Sequence, residues 1–477
     1  MCAPGSAPLH LNLGAIYASQ KRFEEAEGHY LHAMQRNPTG AAAWSNLGAL
    51  YLGQRRNDEA EQALQRALAL KPAHAKAWFN LSYLYQRHGR YEEGWRCFEA
   101  RDWYGALKQH FDIPRWEGQR LQDKRVVVVC EAGHGDAIQM CRYVLLIMGM
   151  GTASITLVCH PALKALMTSL QGVHSIVGLG EPLARTGWDF WTPLMSLPFL
   201  LKTTAQSIPA TLPYLHADRQ RILHWQSRLP TGGKRVGLVW KGNPQFQNDA
   251  DRSLPDVNAL TPLWQIPGVD FISLQKGAGE SEWTQLGPDY PLLVLGPAMD
   301  SFADAAAIVS SLDLVVCVDA AMAHLAGALG RACWVMRPYY LPDWRWGWRA
   351  PLRHGMRQTC GCFASKKANH GTMSCARSRR CWLKQTRRNI DGQSDQRCIE
   401  KERQHAMQRA GTAHLATGKA HIGGLTGCTN NAGEVQKITI VRVTAPGKLQ
   451  SAMFTPHLGG VVAVGVVQRK HDLGKCP

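Results

Sequence analysis

Long apolar runs are missing from this chain. The longest, near residues 144–150, falls far short of the roughly 20 residues a membrane-spanning helix needs, so no membrane span is expected. Residues 1–8 hold no charged region followed by an apolar stretch, so no signal peptide is expected either, and the reading is a cytoplasmic, reduced protein. Paired CxxC spacings are also absent. Cys360, Cys362, Cys375 and Cys381 form a CxC with wide gaps after it, which argues against a zinc module, and no metal is expected. Cys130, Cys159, Cys317 and Cys333 lie within apolar runs, where a small buried thiol is the ordinary reading. Acidic residues are scarce in one part only. Residues 350–477 hold 21 Lys and Arg against 6 Asp and Glu, whereas residues 1–349 hold 33 against 30. The net charge of +18 therefore belongs to the last quarter, and no nucleic-acid partner is expected for the body. With 477 residues and 45% hydrophobic content, the chain has material for two or three domains with cores.

What is present first is a repeat. His10, Trp44 and Trp78 are spaced by 34, as are Leu13, Leu47 and Leu81, then Gly14, Gly48 and Ser82, then Tyr17, Tyr51 and Tyr85. Ala26 matches Ala60, Ala33 matches Ala67 and Pro38 matches Pro72 at the same offset. This period and these residue types resemble the tetratricopeptide repeat (TPR), a helix–turn–helix unit. Small residues at 14, 26, 48 and 60 let paired helices approach, and the prolines end the second helices. Stacked pairs form an α-helical solenoid with a concave face suited to a peptide; a spacer or dimerisation element is the alternative. The pattern fades after Phe98, where Trp95, Trp103 and Trp116 suit a terminal repeat docking on the next domain. The helical part is read as residues 7–116.

From residue 124 short β-branched runs alternate with helical stretches, the pattern of βα units on a parallel sheet. A first lobe, residues 120–230, is expected to have strands at 125–130, 154–160 and 175–179. A Thr-Gly-Gly hinge at 231–233 leads to a second lobe, residues 234–349, with strands at 235–240, 270–274, 292–295, 314–319 and 332–336. Two Rossmann-like lobes joined this way place a ligand between the carboxyl ends of their strands.

The loop Glu131-Ala132-Gly133-His134-Gly135-Asp136 has the first two glycines of a dinucleotide fingerprint. Ile138 replaces the third, and the second strand ends in Cys159-His160 with no carboxylate, so that reading is rejected. The loop reads instead as a turn, shaped by Gly133 and Gly135, that delivers Asp136 to the cleft. The competing role for Asp136 is to cap a helix starting at Ala137. In the second lobe, Val318-Asp319-Ala320-Ala321-Met322-Ala323-His324 puts an acid at a strand end. Small residues, Ala321 among them, then open a helix whose free amides favour phosphate. Asp319 is placed to accept hydroxyl hydrogen bonds from a sugar; His324 is either a ligand contact or a satisfied half-buried histidine. Two further strand ends, Lys241-Gly242-Asn243 with Arg252 beyond, and Gln275-Lys276, carry cations able to neutralise a departing diphosphate without a metal.

Taken with the repeats, GHGDAIQMCRY, VGLVWKGNP with NDADRS, SLQKG, and VDAAMAHLAGALG with PDWRW resemble the bacterial TPR-fused glycosyltransferases related to the heptosyltransferases. The resemblance covers residues 7–349. It implies a GT-B fold and an inverting, metal-independent transfer from a nucleoside-diphosphate sugar, with no other cofactor. It implies that Asp136 is the base and that Asp319 and His324 belong to the donor site. Gly133, Gly135, Lys241, Asn243, Arg252, Gln275, Lys276 and Ala321 complete the expected nucleotide-sugar contacts. Three positions depart from the family: Ala320 where Thr is usual, Phe246 in place of a histidine, and Ala250-Asp251 before Arg252 where basic residues are common. All three touch the donor side. The expected partners are a nucleotide-sugar and a glycan or protein acceptor presented by the repeats. Two other readings stay open: a TPR scaffold whose transferase part is inactive, and a protein O-GlcNAc-type transferase, which also joins repeats to this fold.

Beyond Arg349 the periodicity is lost. Residues 350–477 hold seven Cys and three aromatic residues, and the segment is read as an irregular, basic, disordered tail. Reading the codons compatible with residues 351–365 two bases along permits S-P-W-Y-A-x-N-L-R-L-F-R. That is close to DSPWYPxLRLFRQ, with which the family continues, so the tail reads as out-of-frame translation or a gene-model error rather than an evolved domain.

Overall fold

The computed structural model describes residues 6–183, 187–286, 290–338 and 340–346, and then strands at 360–364, 426–429, 435–444, 448–454 and 465–467. The chain opens with α1 (Ala7–Ser19), α2 (Phe23–Arg36), α3 (Ala41–Gln54), α4 (Asn57–Leu70), α5 (Ala75–Arg87) and α6 (Tyr91–Phe98). They pack in adjacent pairs, α1 on α2, α3 on α4 and α5 on α6. The repeat glycines have a steric cause: a Cβ on Gly14 would lie 2.5 Å from the Tyr30 ring, and one on Gly48 2.6 Å from Leu64.

A second period of 34 is ionic. Arg22, Arg56 and Arg90 stand just before the second helices and stack on Tyr17, Tyr51 and Tyr85 at 4.4, 3.9 and 3.9 Å. Each also pairs with the glutamate three residues on, Glu25, Glu59 or Glu93. Arg56 and Arg90 reach back to the preceding repeat as well, to Glu27 at 2.6 Å and Glu61 at 2.8 Å. The third repeat has Trp95 where those two acids stand. An acid there would suit an arginine of a further repeat; the buried indole instead docks on the next domain.

The first sheet holds β1 (Arg125–Val129), β2 (Ser154–Cys159), β3 (Ser175–Gly178) and β4 (Phe190–Pro193) in the order β3-β2-β1-β4. Every pairing is parallel. The valines of β1 are buried, as a strand covered on both faces requires. β4 is absent from the sequence reading because four residues with a terminal proline offer no period to detect. The second sheet holds β5 (Lys234–Val239), β6 (Val269–Ser273), β7 (Leu292–Val294), β8 (Leu314–Val318), β9 (Cys333–Arg337) and β10 (Cys360–Ala364). Its order is β10-β9-β8-β5-β6-β7, again parallel throughout. β10 lies past residue 349, where the sequence reading ends this lobe, so the sheet extends beyond that boundary.

The repeats and the first lobe share a core. Tyr91, Trp95 and Phe98 of α6 belong to the same buried cluster as Val126, Val128 and Met140, and Trp344 and Trp346 join them. Arg101, just beyond α6, is buried and donates to Glu131 at 2.8 Å and to Ser196 Oγ at 2.6 Å. A separate compact unit, residues 392–477, contains an antiparallel sheet of β11 (Thr426–Thr429), β12 (Val435–Thr444), β13 (Lys448–Phe454) and β14 (Gly465–Val467). The expected irregular tail otherwise lies outside the described residues. Among the described residues, no helix is long and apolar enough to cross a membrane.

Candidate active site between the lobes

β1 ends in the turn that carries Asp136. The helix after it spans His134–Met140, with Gly133 extended at its N-cap, so it starts earlier than the Ala137 expected from sequence. Asp136 therefore sits in the first turn, where Oδ2 accepts from the Gly133 N–H at 3.2 Å. At Gly135 the two lobes come close together. A Cβ there would lie 2.7 Å from Cδ2 of His324 and 3.3 Å from Cα of Ala321. Only glycine lets the first-lobe helix meet the start of the second-lobe helix, Ala321–Ala328.

That second helix opens after Ala320, which is extended and offers no side-chain cap. The Ala323 N–H donates to the Ala320 carbonyl at 3.0 Å, and no side chain caps the amides of Ala321 and Met322 before it, which suits a ligand or water. Asp319 lies at the end of β8. Burial pushes its carboxyl up to about 7, the negative charge of Asp343 adds to the shift, and Arg252 and Arg345 oppose it. His324 is buried and stacks on Trp346 at 5.1 Å, with no hydrogen-bond partner for Nδ1. Burial, then Arg345 and Arg142, hold its pKa well below the usual value, so the ring is neutral.

Arg345 joins the acids, and the sequence reading did not single it out. Its guanidinium donates to Asp136 Oδ1 at 2.5 Å, to Asp343 Oδ2 at 2.9 Å and to the carboxamide oxygen of Gln139. Burial raises the Asp136 pKa; Arg345 opposes the rise, and Asp343 adds to it. The Asp136 side chain keeps 30% of its surface exposed, so it is reachable from the cleft. The run PDWRW was the available signal, but nothing local distinguishes its arginine from a surface cation.

The expected donor-side residues are placed differently from one another. Lys241 is paired with Glu282 at 2.5 Å, and Arg252 with Asp249 at 3.2 Å while it stacks on Phe246 at 4.2 Å. The cations thus already have partners. Gln275, expected as a ligand contact, has its carboxamide engaged within the protein. It is buried, its oxygen accepts from the N–H groups of Trp240 and Lys241, and its nitrogen donates to the carbonyls of Lys241 and Ala278. Two acceptor and two donor positions exhaust a carboxamide. Lys276 is exposed, 3.4 Å from the Pro297 carbonyl, and Asn243 is exposed and accepts from the Gln245 N–H at 3.0 Å.

Known proteins resemble both parts of this architecture. The tetratricopeptide repeat is matched by residues 5–73 and again by residues 63–96. Residues 5–96 are tetratricopeptide repeats. The chain is similar to the protein FlbA of Caulobacter vibrioides, 27% identical over 267 residues, which covers 51% of this chain and 44% of that relative. It thus spans less than half the length of that relative. The α/β part is structurally similar to ADP-heptose LPS heptosyltransferase II of E. coli, at 13% identity and a TM-score of 0.41, covering 56% of this chain and 98% of that one. It is also similar to a glycosyl transferase family 9 protein of Veillonella parvula DSM 2008, at 11% identity and a TM-score of 0.39, covering 52% and 88%. A third likeness is to E. coli heptosyltransferase WaaC with ADP-2-deoxy-2-fluoro heptose, at 13% identity and a TM-score of 0.39, covering 55% and 99%.

Proposed function

We propose that this chain is a glycosyltransferase that moves a sugar from a nucleoside diphosphate to an acceptor hydroxyl, inverting the anomeric centre without a metal. One observation carries the reading. Two helix starts meet across the Gly135–His324 contact, one bearing Asp136 and the other leaving its first amides uncapped after Ala320. A free helix start suits a diphosphate, and a partly buried carboxylate opposite it suits the acceptor hydroxyl.

In a single displacement the acceptor oxygen attacks the anomeric carbon while the bond from that carbon to the diphosphate oxygen breaks. The electron pair leaves with the nucleoside diphosphate, and the hydroxyl proton passes to Asp136. Burial moves the Asp136 pKa upward, the direction a base needs, while Arg345 opposes its protonation. The helix amides and Arg252, whose charge reaches Asp319, stabilise the departing diphosphate. Asp319 accepts from sugar hydroxyls, and the neutral His324 ring forms the wall between donor and acceptor sides. The repeats offer a protein-binding surface for a glycan or protein acceptor in the cytoplasm.

Titration calorimetry with ADP, GDP and UDP, followed by nucleoside diphosphate release from a panel of nucleotide-sugars, tests the reading. Asp136→Asn is expected to keep nucleoside diphosphate binding and lose roughly 10²–10⁴-fold in turnover. Failure to bind any nucleoside diphosphate would sink the proposal and favour an interaction scaffold.

A further inference from the structure

The segment that carries Arg345 runs along the turns of the three repeats. Tyr340 stacks on Phe23 of the first repeat at 5.4 Å and lies over Gly53 of the second, where a Cβ would come within 2.6 Å of its ring. The Pro342 carbonyl accepts from Arg87, at the end of α5, at 3.3 Å. Trp344 then stands edge-on to Trp95 at 5.2 Å and to Tyr91 at 6.3 Å, both on α6. The residue after it is Arg345, whose guanidinium lies 5.0 Å from the Trp344 ring and reaches Asp136 and Asp343. The contact that ends the repeat array, Trp95 in place of an inter-repeat acid, is thus one residue removed from the arginine that holds the cleft carboxylate.

We propose that the tetratricopeptide array is a working part of the site: through Trp95 and Trp344, its third repeat positions Arg345 on the Asp136 carboxylate, which is charged and aimed while that repeat is seated. Arg345 and Trp344 are positioning residues. The catalytic consequence rests on Asp136 being the base, but the positioning is testable without any transfer reaction. Asp136 is faced by Arg345 and Asp343 from the clamped segment, and His324 lies against its neighbour Gly135. Tyr83 of α5 and Asp319 belong to the same charge cluster. With the guanidinium gone, burial and Asp343 act on Asp136 unopposed, and its carboxyl keeps a proton to higher pH.

The sign of the effect on stability follows. An acid whose folded pKa is raised stabilises the fold below its unfolded value, and that contribution is lost as the pH rises through the folded value. Raising it further widens the loss. The test uses thermal midpoints of the full chain without ligand, for the parent, Arg345→Gln and Trp344→Ala, each also combined with Asp136→Asn. The gap between Arg345→Gln and parent is expected to be at least about twofold wider near pH 7.5 than near pH 5, and Trp344→Ala is expected to follow it. With Asp136→Asn, the pH slope of both gaps is expected to fall by about half or more, Asp343 and Asp319 carrying the rest. A Trp344→Ala gap that is level across pH means a purely structural tryptophan, and a slope unchanged by Asp136→Asn means that Arg345 does not act on Asp136. Either result overturns the proposal. If Trp344→Ala does not fold, the milder Trp95→Phe enters the same comparison with the same expected slope, and Arg345→Lys is expected to restore part of the parental behaviour.

Discussion

The Cβ that Gly135 lacks would sit 2.7 Å from Cδ2 of His324 and 3.3 Å from the backbone of Ala321. One neighbour is a buried ring stacked on Trp346 and the other is main chain, so neither gives way easily. Gly135→Ala is expected to force the two helices apart at a cost of about 1–3 kcal/mol. The thermal midpoint and nucleoside diphosphate affinity should fall together. A midpoint equal to the parent's would mean the lobes separate there without cost.

Arg101 and Glu131 tie the end of the repeats to the first lobe with side chains that are 0% and 2% exposed. Arg101→Met leaves the Glu131 carboxylate buried without its main cation, for an expected loss of about 3–5 kcal/mol in chemical denaturation. Adding Glu131→Gln should recover a large part of that loss. Without recovery, the cost lies in the shape of the arginine rather than its charge.

Asp319 gives a pH dependence with a definite sign. Its carboxyl is raised from 3.8 to about 7, so its stabilising contribution is complete below about 4 and is lost as the pH rises through about 7. Asp319→Asn removes that loss. Relative to the parent, the variant is expected to gain thermal midpoint steadily between about pH 5 and about pH 8. A difference that is constant over this range would place the Asp319 carboxyl near its ordinary value.

Gln275 separates the structural role from the ligand role expected of it in the sequence. Gln275→Leu strands the N–H groups of Trp240 and Lys241, at about 1–3 kcal/mol for each buried donor left unpaired. The fold should weaken markedly in chemical denaturation. Unaltered stability with weakened nucleotide binding would return the residue to the donor site.

The repeats, the strands and the acid-bearing strand ends were legible because each rests on a local pattern. A 34-residue period, a β-branched run and a glycine turn leave their marks within a few tens of residues, and β1, β5, β6, β8 and β9 lie close to where those marks put them. The start of the helix after β1 was misplaced because an extended Gly133 serves as N-cap with no side chain to announce it. β10 was missed because its pairing with β9 is a property of the sheet, not of its own five residues.

The sequence by itself determined which side chains stand at strand ends and helix starts, since backbone periodicity places them. Only the tertiary structure decided their partners. It brought Arg345 to Asp136 across 209 positions and Trp95 to Trp344, and it engaged the Gln275 carboxamide with the backbone of Trp240, Lys241 and Ala278. The physical reason is that ion pairs, ring contacts and saturated hydrogen bonds depend on distances set by packing of the repeats and the lobes, which no short stretch of residues encodes.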